Sequence, residues 1–388
     1  MKLRITPLLF IRCLFLLSIC ICIFNILELQ IIISLLYALM FPLVIGLTII
    51  VLSTTSYRII DLLIVVSISA LALLNSMIDI LLADNGCSLF DLKKTFIFIM
   101  TIVFLFIVNQ VQVDKKTIKF IEKAVVLSSF LIVALYFLKY DEIYLQTNVG
   151  VNFLYFNFSN PNFASMYLLI YGIYNLIFAW KFEKIAYKFI CFCLAVFMFF
   201  AVLKTLSRNT LIIIIFYLVM YCLIRFKKKL SLTYSRIVSF VVSVWPLIFA
   251  FFYFAFIQLS EKIAFLSIFD LEKGFDTRIE VWSNTLEALY KSPVFGDFSF
   301  AIIRQSHNSH LDIWLSYGFI VLFLTCLFIF LIVHNGGKKY KNRIAYLYML
   351  GFICCIFIGM AEAALFSGCQ GFFVMVGVLV LFSKSENT

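Results

Sequence analysis

Two of the chain's three histidines, His307 and His310, stand three residues apart in Ser306-His307-Asn308-Ser309-His310-Leu311-Asp312, directly before an apolar run. That spacing is close to one helical turn, so both rings can share a face if a helix begins early. Two imidazoles can ligate a metal, but a catalytic zinc centre normally takes three protein ligands. The alternative is proton transfer: an imidazole titrates near neutrality and can accept a proton from a sugar hydroxyl. On that reading His307 is the candidate base, and His310 a substrate-binding neighbour. A purely structural alternative also stands, because Asn308 and Ser309 are good helix N-cap residues.

Three arginines accompany this pair: Arg208 in Lys204-Thr205-Leu206-Ser207-Arg208-Asn209, Arg278 in Thr277-Arg278-Ile279-Glu280-Val281-Trp282, and Arg304 just before His307. A guanidinium is permanently charged and grips phosphate oxygens through two parallel hydrogen bonds. Each arginine also has a plainer reading, as an interfacial side chain reaching for water or a partner of Asp276 or Glu280. Glu362, in Gly359-Met360-Ala361-Glu362, is an acid inside an apolar run and therefore a further candidate, with Lys204 and Asp79 as borderline cases.

The elements that hold these residues follow from composition. The chain of 388 residues is 64% hydrophobic, has 47 phenylalanines and is only 13% charged, about half the charged share of a soluble domain. Apolar runs near 20 residues recur almost throughout, each long enough to cross ~30 Å of hydrocarbon as a helix. They do not alternate, which favours helices over barrel strands. The fold class expected is an all-α, polytopic integral membrane protein forming one transmembrane domain over 1–388. Twelve spans are predicted, at 7–27, 31–52, 59–78, 95–113, 124–138, 163–180, 189–206, 210–224, 237–259, 311–333, 344–365 and 371–382. One long loop, 261–311, separates the ninth and tenth. The start Met1-Lys2-Leu3-Arg4 leads straight into the first span and predicts no cleaved signal peptide.

The net charge of +11 reads here as topology, with no nucleic-acid partner expected. The segments 114–123, 181–188, 225–236 and 334–343 are dense in Lys and Arg. With twelve spans they fall on one side, together with Lys2, Arg4, Arg58 and Lys384. Most acids fall on the other side. By the positive-inside rule both termini are cytoplasmic and the long loop is extracytoplasmic. Nine of the eleven cysteines lie within apolar runs and behave as small hydrophobes; only Cys87 and Cys369 fall near loops. The chain lacks a Walker motif, a Gly-rich phosphate loop and GxSxG, which argues against an ATP-driven transporter and a serine hydrolase.

Four segments resemble the bacterial O-antigen ligase and O-antigen or capsular polysaccharide polymerase superfamily. Thr205-Leu206-Ser207-Arg208 is similar to that family's Ser-Arg turn between helices. The stretch from Thr277-Arg278 through Trp282 to Pro293-Val294-Phe295-Gly296 resembles its Arg…Trp…Pro-x-x-Gly segment. His307-Asn308 through Leu311 to Gly318 resembles its His-Asn-x-x-Leu…Gly segment. Asn160-Pro161-Asn162 is similar to an Asn-Pro-Asn turn of many members. One departure is Asp297-Phe298 after Gly296, where members often carry a second Gly.

The resemblance implies a metal-independent glycosyltransferase in the bacterial inner membrane, needing no cofactor. Its partners would be an undecaprenyl-diphosphate-linked oligosaccharide, membrane lipid and a chain-length regulator. The residues implied are His307 and Arg278 as catalytic, with Arg208, Arg304, His310 and Asn162 binding diphosphate or glycan. A polymerase would extend one lipid-linked repeat with another; a ligase would move the polymer to lipid A-core. The Asn-Pro-Asn turn and short outer loops lean towards the polymerase. A lipid-linked sugar flippase or other transporter is the reading of a different class. It would be expected to show repeat symmetry between halves and charged or Gly/Pro-broken helices near the midplane; the sequence shows no such symmetry, and its polar residues gather in one outer loop.

Overall fold

A computed structural model describes residues 7–82, 89–111, 113–140, 142–146, 152–158, 161–226, 236–260, 272–296, 306–339 and 343–360. The helices in chain order are α1 (Pro7–Ile26), α2 (Gln30–Thr54), α3 (Ile59–Leu82), α4 (Leu89–Gln110), α5 (Lys115–Leu138), α6 (Pro161–Lys181), α7 (Ile185–Lys204), α8 (Arg208–Phe226), α9 (Arg236–Ser260), α10 (Glu272–Lys291), α11 (Ser309–Lys339) and α12 (Arg343–Ile358). Eight of these are long and apolar enough to cross a membrane, and α4, α9 and α12 supply three shorter apolar stretches. The chain is an all-α polytopic membrane protein. The predicted span at 371–382 lies outside the described residues, as do Glu362, Cys87 and Cys369.

Helix α6 forms the centre. Every residue from Ala164 to Phe178 is buried, including Ser165, Asn175 and three tyrosines. In a bilayer, polar side chains gain by turning inward, where neighbouring helices offer partners that lipid cannot. Asn175 shows this: its Nδ2 donates to Ser129 Oγ of α5 at 2.8 Å and to its own helix at Tyr171 O at 2.8 Å. The outer helices do the opposite. Leu35, Leu39, Ile45 and Ile49 of α2, and Phe189, Phe192, Val196 and Phe200 of α7, are exposed.

Three features differ from the sequence expectation. The polar stretch read as a loop contains α10, whose Trp282, Thr285 and Leu289 are buried while Glu280, Glu287 and Tyr290 face outward. Its spacing is helical, but its composition is too polar to register as a span. Residues 144–154 hold a short antiparallel pair, β1 (Tyr144–Gln146) and β2 (Asn152–Leu154), with Tyr144 opposite Leu154. Finally, α5 begins at Lys115 rather than 124, because Asp114 caps it by accepting from Thr117 N–H at 2.8 Å. Long lysine side chains let a helix run past the hydrocarbon while their ammonium groups stay in water.

The bundle has two distinct ends. Lys94 of α4 and Asp312 of α11, Asn209 of α8 and Ile358 of α12, and Asn75 of α3 and Tyr317 of α11 all meet at one end. The other end gathers the basic starts of α5 and α7 and the finish of α6, where Lys181 Nζ lies 2.6 Å from Glu122 Oε1. Arg12 of α1 reaches to this second end, donating to Thr117 Oγ1 at 2.8 and 2.6 Å and standing 3.5 Å from Asp114.

Candidate functional site

The His-Asn segment is built around one buried amide. Asn308 is fully buried, and its Oδ1 accepts from His310 N and Leu311 N, both at 3.1 Å, capping α11. Its Nδ2 donates to Pro246 O of α9 at 2.7 Å and to Met360 O beyond α12 at 3.0 Å. One side chain thus uses its acceptor to start a helix and its two donors to tie that start to two others. Ser309 N adds a bond to Gly359 O at 2.8 Å. The capping role read from sequence for Asn308 is realised, and it does not compete with a role for His307.

His307 is half-buried and holds φ +50°. A non-glycine residue in the left-handed region is uncommon, and such positions persist where their surroundings hold them in place. Here the flanks do so. On one side Ser306 O accepts from Trp282 Nε1 at 2.6 Å, and on the other Asn308 is locked as described. The His310 ring is fully buried, with Nε2 2.7 Å from Ser243 O of α9. It faces a neighbouring helix backbone, and the two imidazoles have different surroundings.

The Ser-Arg turn is built by a similar device. Leu206 has φ +56°, and Thr205 Oγ1 accepts from Ser207 N at 3.3 Å. Ser207 Oγ lies 3.0 Å from Thr210 Oγ1, which lies 2.7 Å from Ser165 Oγ of α6. Ser165 in turn donates to Asn162 O at 2.8 Å. Asn162 at the start of α6 and the Ser-Arg turn at the start of α8 are therefore joined through three hydroxyls. Arg208 is the first residue of α8 and is exposed. Its neighbour Asn209 donates to Ile358 O at 3.2 Å. The Arg208 turn and the His307 turn thus both rest on the finish of α12, residues 358–360.

Helix α10 brings the third segment. Trp282 is completely buried and packs with Ala250 of α9, with Leu289, and with Leu311 and Leu315 of α11. Arg278 lies one turn before Trp282 in α10; its side chain, and Arg304 altogether, fall outside the described residues. At its far end α10 stops at Pro293-Val294-Phe295-Gly296, which docks against a break in α11 at Gly318. Gly296 has φ +82° and Gly318 φ +84°. A Cβ on Gly296 would stand 2.4 Å from Leu315 O, and one on Gly318 would stand 2.2 Å from Val294 O. Phe319 N donates to Val294 O at 3.0 Å, and Trp314 Nε1 to Pro293 O at 2.7 Å. The two glycines of the Pro-x-x-Gly and His-Asn…Gly segments permit a single backbone-to-backbone contact.

One group the sequence reading missed lies beneath. Asp312 is 1% exposed, and its Oδ2 is 3.0 Å from Lys94 Nζ. Lys94 also donates to Ser316 Oγ at 3.2 Å, and Ser306 N approaches Asp312 Oδ1 at 3.4 Å. The partner is 218 positions away in sequence, so no local pattern announces it. A buried ion pair of this kind seldom adds much stability by itself, but losing one member strands the other. Among the described residues no three His, Cys, Asp or Glu side chains gather as a metal site.

Residues 193–296 match the family model described as O-antigen ligase. Over that segment the chain is similar to the O-antigen ligase family. The match supports the O-antigen ligase and polymerase superfamily for the chain, and no curated protein or solved structure matches it. The matched segment runs from α7 to Gly296. It includes Arg208, Arg278, Trp282 and the Pro-x-x-Gly turn, and it stops before His307. Contacts at the bundle end carry the site onward from the matched segment to α11 and α12.

Proposed function

We propose that the chain is an O-antigen or capsular polysaccharide polymerase, a glycosyltransferase acting on an undecaprenyl-diphosphate-linked glycan at the outer face of the inner membrane. The observation that carries this is the convergence of two separate turns, bearing Arg208 and His307, on the finish of α12, with α10 pinned beside them by Trp282. In the reaction, a hydroxyl of one lipid-linked unit attacks the anomeric carbon of another. The bond from that carbon to the diphosphate oxygen breaks, and the electron pair leaves with the lipid diphosphate. His307 accepts the hydroxyl proton. Arg208, Arg278 and Arg304 stabilise the charge that grows on the leaving diphosphate, helped at Arg208 by the N-terminal end of α8, where unpaired N–H groups favour anions. The donor is already activated, so the reaction requires no nucleotide or metal step. Asn162, half-buried at the start of α6, keeps the diphosphate- or glycan-binding role implied by the resemblance, whereas His310, fully buried against Ser243 O of α9, holds the shape of the site instead of touching substrate.

A ligase that delivers finished polymer to lipid A-core would use the same groups, and it is the second reading because the matched family is described by that activity. The deciding experiment is a glycan profile of cells lacking the protein beside cells carrying His307→Ala at matched protein level. Loss of the long-chain ladder, with a single repeat still on its acceptor, is expected. Long chains accumulating on undecaprenyl diphosphate would favour the ligase. An unchanged profile in both strains would remove glycosyl transfer altogether.

A further inference from the structure

At the end of the bundle opposite the candidate site, α5, the finish of α6 and the start of α7 enclose a cavity of about 760 Å³, a size typical of small-ligand sites. Its lining changes character with depth. Lys115, Lys119, Lys123 and Lys184 stand exposed around its mouth, with Glu183 as the acid among them. Lys181 and Glu122 lie below, joined at 2.6 Å and so neutral as a pair. Beyond them the walls are apolar, with Val126, Leu127 and Phe130 of α5 facing Ile190 and Cys191 of α7. From Lys115 to Phe130 the lining follows α5 for about 22 Å at ~1.5 Å per residue.

This gradient selects a class of ligand. Four lysines against the single acid Glu183 attract a phosphate-bearing anion, and a cluster of cations beside membrane-spanning helices is drawn to an anionic lipid surface. A soluble phosphate, however, would leave the apolar half of the cavity unused. Leu127 and Phe130 are themselves 64% and 47% exposed on the outside of the bundle, so the deep part opens towards hydrocarbon. A molecule with an anionic head and an alkyl tail matches both halves at once.

We infer that this groove is a binding site for an anionic glycerophospholipid, its phosphate among Lys115, Lys119, Lys123 and Lys184 and one acyl chain along Val126, Leu127 and Phe130. The site is separate from the turns at the opposite end and rests on no part of the glycosyl-transfer reading.

The test uses the full-length purified protein and follows thermal unfolding in detergent during titration with phosphatidylglycerol, phosphatidylcholine or inorganic phosphate. Phosphatidylglycerol is expected to raise the midpoint, while the other two leave it unchanged. Lys119→Gln/Lys123→Gln/Lys184→Gln is expected to weaken the phosphatidylglycerol response at least tenfold, and the matching Lys→Arg triple to keep it. Val126→Phe, which fills the groove below the lysines, is expected to weaken it with every charge intact. Should the Gln triple fail to fold, the wild-type titrations and Val126→Phe still decide. Equal responses to the two lipids, a response to inorganic phosphate matching that to phosphatidylglycerol, or an unchanged response in Val126→Phe would each overturn the proposal.

Discussion

The two ends of the bundle are built on opposite principles. At the candidate site, buried polar groups are held by specific partners: Asn308 ties α9 and α11 to the finish of α12, Asp312 answers Lys94, and Gly296 and Gly318 let two backbones touch. At the basic end, lysines stand in water around a wide groove, and what they share is charge rather than geometry. The first end fixes where a few atoms sit; the second sets a potential over a surface. Geometry of that kind suits bond-making, where small misplacement is costly. Charge density suits holding something whose exact pose matters less.

Substitutions can break or sharpen this contrast. The largest effect is expected from Asp312→Ala, which strands a buried ammonium and should cost about 3–5 kcal/mol. Thermal unfolding in detergent reads it, and Lys94→Met/Asp312→Leu should recover most of the loss. If the single and double variants are equally unstable, the pair is not the unit described here. Next comes Gly318→Ala. The left-handed backbone alone costs about 1–3 kcal/mol for a residue with a side chain, and the added methyl collides with Val294 O. Limited proteolysis should show α10 released from α11, and the glycan ladder should be lost with the protein still in the membrane. The smallest effect belongs to the basic end. Asp114→Ala removes the N-cap of α5 and should cost about 1 kcal/mol. Burial by itself would raise the pKa of Asp114, but the hydrogen bonds from Thr117 and the nearby Arg12 outweigh it and hold the carboxyl below its usual range. A group with a lowered pKa stabilises the fold fully above its unfolded pKa, and that contribution fades as pH falls through the folded value. The difference between wild type and Asp114→Ala should therefore shrink on acidification.

Much of the architecture was legible because lipid leaves few choices. A long apolar run must satisfy its backbone internally, so composition and length announce a span. The positions of Arg208, Asn162 and His307 at helix starts were legible for a related reason, since turns carry the polar residues that spans exclude. The sequence signal was weakest where two influences mix. Helix α10 has helical spacing in Trp282, Thr285 and Leu289 but a polar composition. Helix α5 starts in a run of lysines that reads as loop. Contacts across the chain left no trace at all: Lys94 gives no sign of Asp312, and neither glycine of the α10–α11 joint announces the other. Such pairings are properties of the packed bundle, not of any stretch within it.

The central position of α6 bears on how the protein is made. Among the eight long spans it is the least apolar, with a mean hydropathy of 1.5 against 2.6 for α1, α2 and α11. Taken alone, it gains the least by leaving the aqueous channel of the insertion machinery for the bilayer. Its Asn175 finds a partner on α5, which is synthesised before it, and its Ser165 on α8, which is synthesised after. The helix around which the bundle is arranged therefore depends most on company during biogenesis, and its retention in the membrane is tied to the arrival of its neighbours.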